Sequence, residues 1–206
     1  MAVSRHAIIS PEGTPFIIAT TLVVAILNYF YGAYATPLWL LVVFVIWLYR
    51  DPVRKVPALP LGIVSPVDGK IVAAEQHPDP YLGRDANLVR IEMSPTSVFS
   101  IRGVIEGKIV QQWLDQESGA KHDVAHAIHI ETDEKDDVIV VLRPGRVFKR
   151  LSCDANIGER VGQGHRCGII PFGSVIDVYL PVTSHINVTI GQSVTSGETV
   201  LADIIK

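Results

Sequence analysis

The distribution of hydrophobic and polar positions divides this 206-residue chain into two parts. Residues 16–49 carry no charged side chain, although a Gly-Ala-Tyr-Ala-Thr-Pro run at 32–37 interrupts them. From Ile63 onward, short apolar runs rich in β-branched residues alternate with Gly, Pro, Asn and Asp. Such runs favour strands, and the turn residues between them separate one strand from the next. The pattern therefore predicts an N-terminal helical hairpin followed by a mostly-β domain over residues 63–206.

The uncharged stretch 16–49 predicts a membrane anchor. A full helical span takes about 20 residues, and the interruption leaves two shorter arms, so two tightly joined spans and a re-entrant hairpin both fit. A cleaved signal peptide fits poorly, because the apolar region is too long and a second arm follows it. A buried hairpin in a soluble protein remains an alternative. Basic residues flank both ends, which favours a cytoplasmic location for both: Arg5, Arg50, Arg54 and Lys55.

The other boundaries follow from local composition. Residues 1–15 form a short polar segment before the anchor, which we expect on the cytoplasmic side. Pro57 and Pro60 predict a stiff linker over residues 50–62. The predicted order is therefore N-terminal segment, anchor, linker and β domain.

Two internal echoes strengthen the prediction of a β domain. The sequence Val-Asp-Gly-Lys-Ile-Val at 67–72 recurs as Ile-Glu-Gly-Lys-Ile-Val at 105–110. A glycine-containing run at 157–161 is likewise similar to the run at 190–194. Glycines at such spacing serve turns in lipoyl- and biotinyl-type β-sandwiches. We therefore expect a β-sandwich of that kind.

The composition sets further limits. The chain is 48% hydrophobic with a mean hydropathy of +0.31, which is apolar for a soluble domain and agrees with a membrane segment. A net charge of −3 gives no reason to expect a nucleic-acid partner. Cys153 and Cys167 are too few for a disulfide framework and lack a CxxC spacing, so we interpret them as small core residues in a reducing compartment. No His and Cys spacing predicts a zinc site, and we expect no metal.

The main chemical candidate is the run Pro-Phe-Gly-Ser-Val-Ile-Asp-Val-Tyr-Leu-Pro at 171–181. A Gly-Ser pair is most often only a turn. Here β-branched and aromatic residues follow the pair, so a strand begins at Ser174 and ends at Pro181. The run resembles the Phe-Gly-Ser cleavage site of the short, bacterial and archaeal type of phosphatidylserine decarboxylase.

Two other runs carry the same resemblance. The sequence Tyr-Arg-Asp-Pro-Val-Arg at 49–54 resembles the aromatic-Arg-Asp-Pro-x-Arg junction between anchor and catalytic domain in that family. The sequence Glu-Gly-Thr-Pro-Phe-Ile at 12–17 resembles the run before the family's first span. The resemblance covers nearly the whole chain. It implies a self-cleaving proenzyme, or zymogen, that becomes a lyase of phospholipid biosynthesis and converts phosphatidylserine to phosphatidylethanolamine.

The resemblance also implies how the cofactor arises. The chain would cut itself between Gly173 and Ser174 after the serine hydroxyl attacks the glycine carbonyl and converts the amide into an ester. Glycine removes the Cβ that would crowd this attack and permits backbone conformations that other residues resist. β-Elimination and hydrolysis then convert Ser174 into a pyruvoyl group, with no metal. That group condenses with an amine substrate and accepts the electrons released by decarboxylation.

The resemblance implies the setting as well. The protein would lie at a bacterial-type inner membrane with its catalytic domain on the cytoplasmic side. Its partners would be phosphatidylserine, membrane lipid, and the two chains of the processed proenzyme with each other. The resemblance leaves the oligomeric state open, with a homo-oligomer as one option.

Asp68, in the run Ser-Pro-Val-Asp-Gly at 65–69, is the second chemical candidate. An Asp-Gly pair between strands is ordinarily a turn. The resembled family has a Pro-x-Asp-Gly motif here, and its aspartate is taken to support the base that drives self-cleavage. A carboxylate can orient an imidazole and stabilise its charge, and the resemblance implies that role for Asp68.

The sequence departs from the resembled family where the base is expected. The family has a histidine after Ser94-Pro95, whereas this chain has Phe99, and Ser97 stands where the family has an aspartate. A phenyl ring cannot accept a proton. We propose His165 as a substitute base because it lies nine residues before Ser174. The other candidates are His122, His126, His129 and His185.

The departure at Phe99 keeps a second function in view. This second function is that of a catalytically weakened or inactive relative that acts as a membrane-bound, lipid- or protein-binding β-sandwich. A lipoate- or biotin-carrying domain is a more distant alternative, because Lys70 and Lys108 follow glycine but lie in no convincing carrier motif.

Overall fold

The computed structural model describes residues 9–10, 13–94, 97–116, 124–143, 152–153, 155–170 and 173–205. The chain divides into two compact units, Met1–Val53 and Arg54–Lys206. The dividing point falls inside the predicted linker.

The first unit is helical and apolar. It contains α1 (Thr14–Tyr31), a 3-10 helix (Gly32–Leu38) and α2 (Trp39–Leu48). The 3-10 helix coincides with the predicted interruption, where Gly32 ends α1 with a positive φ of 57°. By length and composition, the helical segment Thr14–Leu48 is apolar enough to cross a membrane. Its side chains are largely exposed, since only 6% of its most apolar part is buried.

The two ends of the helical segment lie side by side. The backbone N–H of Ser10 donates to the carbonyl of Tyr49 at 2.9 Å, and Ile9 forms an antiparallel bridge with Arg50. The rings of Phe16 and Tyr49 stack with centroids 5.8 Å apart. The segment therefore leaves and returns to the same place, as a helical hairpin does.

The second unit contains fourteen described strands, and every strand pair in it is antiparallel. They are β1 (Gly62–Val64), β2 (Gly69–Asp79), β3 (Arg84–Met93), β4 (Ser100–Arg102), β5 (Gly107–Gln116), β6 (Val124–Glu131), β7 (Asp137–Arg143), β8 (Ser152–Cys153), β9 (Arg160–Val161), β10 (Arg166–Ile169), β11 (Val175–Leu180), β12 (Ser184–Ile186), β13 (Ser193–Val194) and β14 (Val200–Ile204). The mostly-β prediction is confirmed. The finer lipoyl/biotinyl-like arrangement stays a prediction.

The strands form one large sheet and two small ones. The large sheet has the order β13-β2-β3-β11-β7-β6-β5-β9, and the small sheets have the orders β1-β14-β12 and β4-β10-β8. One face of the large sheet carries the main hydrophobic core, which includes Ile91, Leu142 and Ile176. The opposite face carries a smaller cluster that includes Leu88 and Tyr179. The strand β11 lies at the centre of the large sheet.

The large sheet consists of two similar halves that meet at the β11–β7 pair. β11, β3, β2 and β13 on one side correspond to β7, β6, β5 and β9 on the other. The register shifts at equivalent positions in the two halves, between Ile71 and Ala73 in β2 and between Ile109 and Gln111 in β5. The echoes in the sequence are therefore two copies of one structural unit.

A close backbone approach explains one glycine in each copy. A Cβ on Gly69 would overlap the carbonyl of Glu92, and a Cβ on Gly107 would overlap the carbonyl of Glu131. Both glycines begin a long strand at the point where it meets its hairpin partner. Glycine is required at both positions because any side chain would push the paired strands apart.

Candidate active site

The predicted cleavage site lies immediately before the central strand. The carbonyl of Ser174 accepts a hydrogen bond from the backbone N–H of Met93 at 3.0 Å, so the pairing of β11 with β3 extends to Ser174. Ser174 is fully buried, whereas Gly173 is exposed. The scissile peptide thus joins a solvent-facing residue to a residue held inside the fold.

Gly173 has a backbone conformation that favours glycine. Its φ is +75°, in the left-handed region that side-chain-bearing residues rarely adopt. Among the described residues, nothing beyond its chain neighbours lies within 4 Å of the position that a Cβ would take. Conformation, rather than crowding by distant residues, therefore explains glycine at this position.

Asp68 lies in the turn before β2, across β3 from Ser174. Gly69 pairs with Met93, and Met93 in turn donates to Ser174. Gly69 and Ser174 are thus separated by two strand spacings, or roughly 10 Å. The Asp68 carboxylate accepts the backbone N–H of Ser196 at 2.7 Å on Oδ1 and an Arg54 Nη2 donor at 2.7 Å on Oδ2.

Phe99 lies between Asp68 and the run that contains the scissile bond. The hydroxyl of Ser97 donates to the carbonyl of Asp68 at 2.6 Å. Two residues later, the carbonyl of Phe99 accepts the backbone N–H of Ile170 at 2.9 Å. Phe99 is itself buried. The segment 97–99 therefore contacts both Asp68 and Ile170, and Ile170 lies four positions before Ser174.

His165 lies away from this region. The strand pair β4–β10 has Phe99 opposite Ile170 at one end, and Gly103 opposite His165 at the other. Four residues separate Phe99 from Gly103, which corresponds to about 13 Å of extended chain. The His165 ring folds back over Gly162, where an added Cβ would lie 3.0 Å from Nδ1. The role of His165 stays a prediction, and this geometry does not favour it.

Of the other candidate histidines that the structure describes, two have side-chain partners and one is exposed. His129 Nε2 lies 2.8 Å from Asp137 Oδ1, and His185 is exposed on β12. His126 lies 3.2 Å from the Gln112 side-chain oxygen, and burial lowers the pKa of its imidazole. Within the described part of the chain, no histidine hydrogen-bonds Asp68. His122, Pro171 and Phe172 lie outside the described residues.

A buried ion cluster on β11 escaped the sequence reasoning. Asp177 is fully buried and lies three residues after Ser174. Arg90 on β3 donates to it from Nε at 2.5 Å and from Nη2 at 2.9 Å, and Arg143 on β7 donates from Nε at 3.1 Å. The hydrogen bond to Asp177 raises the pKa of the Arg90 guanidinium. The signal in the sequence is an aspartate inside an otherwise apolar strand, which requires a buried partner.

No metal centre is evident in the part of the chain that the structure describes. Its His, Cys, Asp and Glu side chains form no group of three or more that could hold an ion. Cys167 is partly buried, and its Sγ lies 3.6 Å from the carbonyl oxygen of Ile101.

Comparison with known proteins identifies the family. The family model for phosphatidylserine decarboxylase matches residues 41–202. The chain belongs to the phosphatidylserine decarboxylase family. It is similar to the phosphatidylserine decarboxylase proenzymes of Nitrosomonas eutropha, at 38% identity over 207 residues and 96% of each chain, and of Burkholderia lata, at 39% identity over 209 residues and 97% of each chain. The proenzyme of Aromatoleum aromaticum is 35% identical over 208 residues and 97% of each chain.

No solved structure matches the chain. The resemblance to the phosphatidylserine decarboxylase family drawn from the sequence is confirmed by these comparisons. This family match spans both structural units, because it begins inside α2 and ends inside β14.

Proposed function

We propose that this member of the phosphatidylserine decarboxylase family is a proenzyme that cuts itself between Gly173 and Ser174 and then converts phosphatidylserine to phosphatidylethanolamine. One observation carries the proposal. A fully buried serine immediately precedes the central strand of the sheet, directly after an exposed glycine with a positive φ. The family and the names of the relatives support the substrate.

The proposed cleavage balances in bonds and protons. The Ser174 hydroxyl oxygen bonds to the Gly173 carbonyl carbon, and the peptide C–N bond breaks to leave an ester and a free amine on Ser174. Removal of the Ser174 Cα proton then expels the Gly173 carboxylate by β-elimination. Water hydrolyses the resulting enamine, with release of ammonia, and leaves a pyruvoyl group at the start of a 174–206 chain.

The two chains would stay together after cleavage. The 174–206 chain contributes β11 between β3 and β7, so its new N-terminus is held by a strand on each side. It also contributes β13 and β14, which pair with β2 and β1 of the longer chain. When present, the pyruvoyl carbonyl supplies an electrophile for the substrate amine and a sink for the electrons of decarboxylation. The sheet would hold that carbonyl in place, because both flanking strands belong to the other chain.

Asp68 is proposed to support the cleavage as an oriented carboxylate at the end of β3. The base that removes the Ser174 Cα proton is proposed to be weak or remote in this chain, because Phe99 occupies the place of the family histidine and cannot accept a proton. The same observation favours one second candidate function, a catalytically weakened relative that binds lipid without turning it over.

Membrane attachment is proposed to come from the helical hairpin. Its two ends meet at Ser10 and Tyr49, so both would lie on one side of the bilayer. Basic residues at those ends favour the cytoplasmic side of a bacterial-type inner membrane.

Turnover on vesicles that contain phosphatidylserine tests the activity. We expect the full-length chain to form phosphatidylethanolamine with release of carbon dioxide, and the Ser174→Ala variant to form none because it cannot make the pyruvoyl group. Binding of both proteins to the vesicles, with no product from either, would contradict the decarboxylase and support the lipid-binding alternative.

A further inference from the structure

The segment that follows the helical unit lies against the β domain. We name residues 54–62 the strap. The backbone N–H of Lys55 donates to Glu198 Oε1 at 2.9 Å. Farther along, the Gln163 side-chain amide donates to the carbonyl of Leu59 at 3.1 Å. Two loops of the β domain thus hold the strap, one at Lys55 and the other at Leu59.

The strap brings one cation to Asp68. The guanidinium of Arg54 donates to Asp68 Oδ2 at 2.7 Å. The two side chains are only 16% and 21% exposed, so water screens this pair less than an ordinary surface pair. In the described part of the chain, Arg54 is the only cationic side chain that hydrogen-bonds Asp68.

Orientation of the carboxylate depends on both of its oxygens. The backbone N–H of Ser196 fixes Oδ1, and the guanidinium fixes Oδ2. Charge-assisted hydrogen bonds of this kind are shorter and stronger than neutral ones. Removal of Arg54 would leave Oδ2 without its donor and the partly buried carboxylate without its countercharge.

We propose that Arg54 is a positioning residue for self-cleavage: it orients Asp68 and balances its charge. The phenyl ring of Phe99 can do neither, because it has no hydrogen-bond donor and no charge. The inference rests on the proposed cleavage between Gly173 and Ser174. It assigns a task to the last residue of the Tyr-Arg-Asp-Pro-Val-Arg run, which otherwise marks only the boundary between the two units.

The second repeat supplies a matched control. Glu106 precedes Gly107 as Asp68 precedes Gly69, and Arg160 Nη2 lies 3.7 Å from Glu106 Oε1. Arg160 also contacts Asp133 at 2.6 Å. The variant Arg160→Ala therefore removes the same side chain at the equivalent turn of the copy that lacks the Gly-Ser bond, where the ion pair is longer and more exposed.

The test follows cleavage of the full-length chain during cell-free synthesis in detergent micelles. Arg54→Ala, Arg54→Lys and Arg160→Ala are compared in two backgrounds, the natural sequence and Phe99→His, so that a slow parent still gives a measurable rate. We expect Arg54→Ala to slow cleavage by about 10²-fold, the loss typical of a misplaced catalytic group. Arg54→Lys should recover part of the rate, and Arg160→Ala should match its parent.

Two further readouts separate positioning from folding. Millimolar guanidinium chloride should restore cleavage of Arg54→Ala, whereas equal sodium chloride should not. In an Asp68→Asn background, Arg54→Ala should slow cleavage no further, because the two residues act as one unit.

The outcomes separate the two proposals. If Asp68→Asn slows cleavage and Arg54→Ala does not, the role of Arg54 is overturned and the cleavage proposal stands. If Arg54→Ala is slow but guanidinium gives no rescue and the losses add in the double variant, Arg54 acts through folding and the inference also fails. A chain that remains intact in both backgrounds overturns the proposed cleavage and this inference together.

Discussion

Phe99 is the residue on which the efficiency of the proposed reaction depends. Its backbone meets Ile170, four residues before Ser174, and it lies two residues after Ser97, which hydrogen-bonds Asp68. The resemblance to the family implies that its histidine stands at this position, two residues after the Ser97–Asp68 contact. A positioned base contributes about 10²–10⁴-fold to a rate, so the phenyl ring should leave processing slow.

The variant Phe99→His should therefore cleave at least about 10²-fold faster than the natural sequence. The substitution supplies an imidazole, which can accept a proton, in place of a phenyl ring, which cannot. Gel electrophoresis of samples taken during synthesis gives both rates. His165→Ala is the control, and it should cleave as fast as its parent because His165 lies at the other end of β10. Loss of cleavage in His165→Ala would show that His165 is the base.

The Asp177 cluster gives a second prediction at the scale of residues. Asp177→Asn keeps the shape of the side chain but removes the buried negative charge that Arg90 and Arg143 both contact. Loss of one partner of a buried ion pair typically costs about 3–5 kcal/mol, and partial exposure of both arginines should bring the loss to the lower end. Urea unfolding of the full chain in detergent measures it.

The control for Asp177→Asn is Asp133→Asn, which breaks the exposed pair with Arg160. That variant should unfold at the same urea concentration as the natural sequence. Equal midpoints for all three proteins would contradict the structural role of the buried cluster.

At the scale of elements, the two copies of the repeat differ in their chemistry. The first copy carries Asp68 before β2, and Ser174 immediately precedes its strand β11. The second copy has Glu106 at the equivalent turn, and its equivalent of β11 is β7, which begins at Asp137 without a Gly-Ser bond before it. One scaffold thus presents two similar turns, of which one lies beside the proposed cleavage site.

Paired glycine variants test this asymmetry. Gly69→Ala and Gly107→Ala should each destabilise the domain by about 1–3 kcal/mol, because a Cβ at either position meets a backbone carbonyl. Only Gly69→Ala should also slow cleavage, since it displaces the turn that holds Asp68. Urea unfolding and cleavage rates of the same preparations check both parts. Equal slowing by the two variants would contradict the placement of the site in one copy.

The sequence predicted those features that depend on local patterns. Strand composition and the repeated Gly-Lys-Ile-Val runs were enough for a mostly-β domain with internal similarity, and the apolar stretch was enough for a helical hairpin. The Arg90–Asp177–Arg143 cluster was missed because its members come from three strands whose pairing no local pattern specifies. His165 was chosen because it is close to Ser174 along the chain. The extended strand β10 lies between them, so closeness in sequence did not mean closeness in space. Arg54 was read as a flanking charge and as part of the junction run at 49–54, because its contact with Asp68 depends on how the strap packs.

At the scale of the whole molecule, a helical hairpin precedes a β domain whose central strand would become the start of a new chain. Ser174 is buried between two strands of the remaining chain, so the cut is proposed to change chemistry without changing the fold. The helical segment is apolar enough to cross a membrane, which agrees with a substrate that is itself a membrane lipid.

The hairpin predicts a specific topology. Epitope tags at the N-terminus and the C-terminus should both be digested by protease added to inside-out inner-membrane vesicles, and both should be protected in intact spheroplasts. Deletion of residues 1–49 should release the protein from the membrane fraction. Protection of one tag in the inside-out vesicles would contradict the hairpin, and unchanged sedimentation after the deletion would contradict the anchor.

Intact mass measurement of the full-length chain tests the central claim most directly. The account predicts two chains, 1–173 and 174–206, of which the shorter is lighter by one ammonia than a serine-terminated peptide of the same sequence. Phe99→His should give the same products sooner, and Ser174→Ala should stay intact. A single full-length mass for the natural sequence and for Phe99→His alike, equal in persistence to Ser174→Ala, would contradict it.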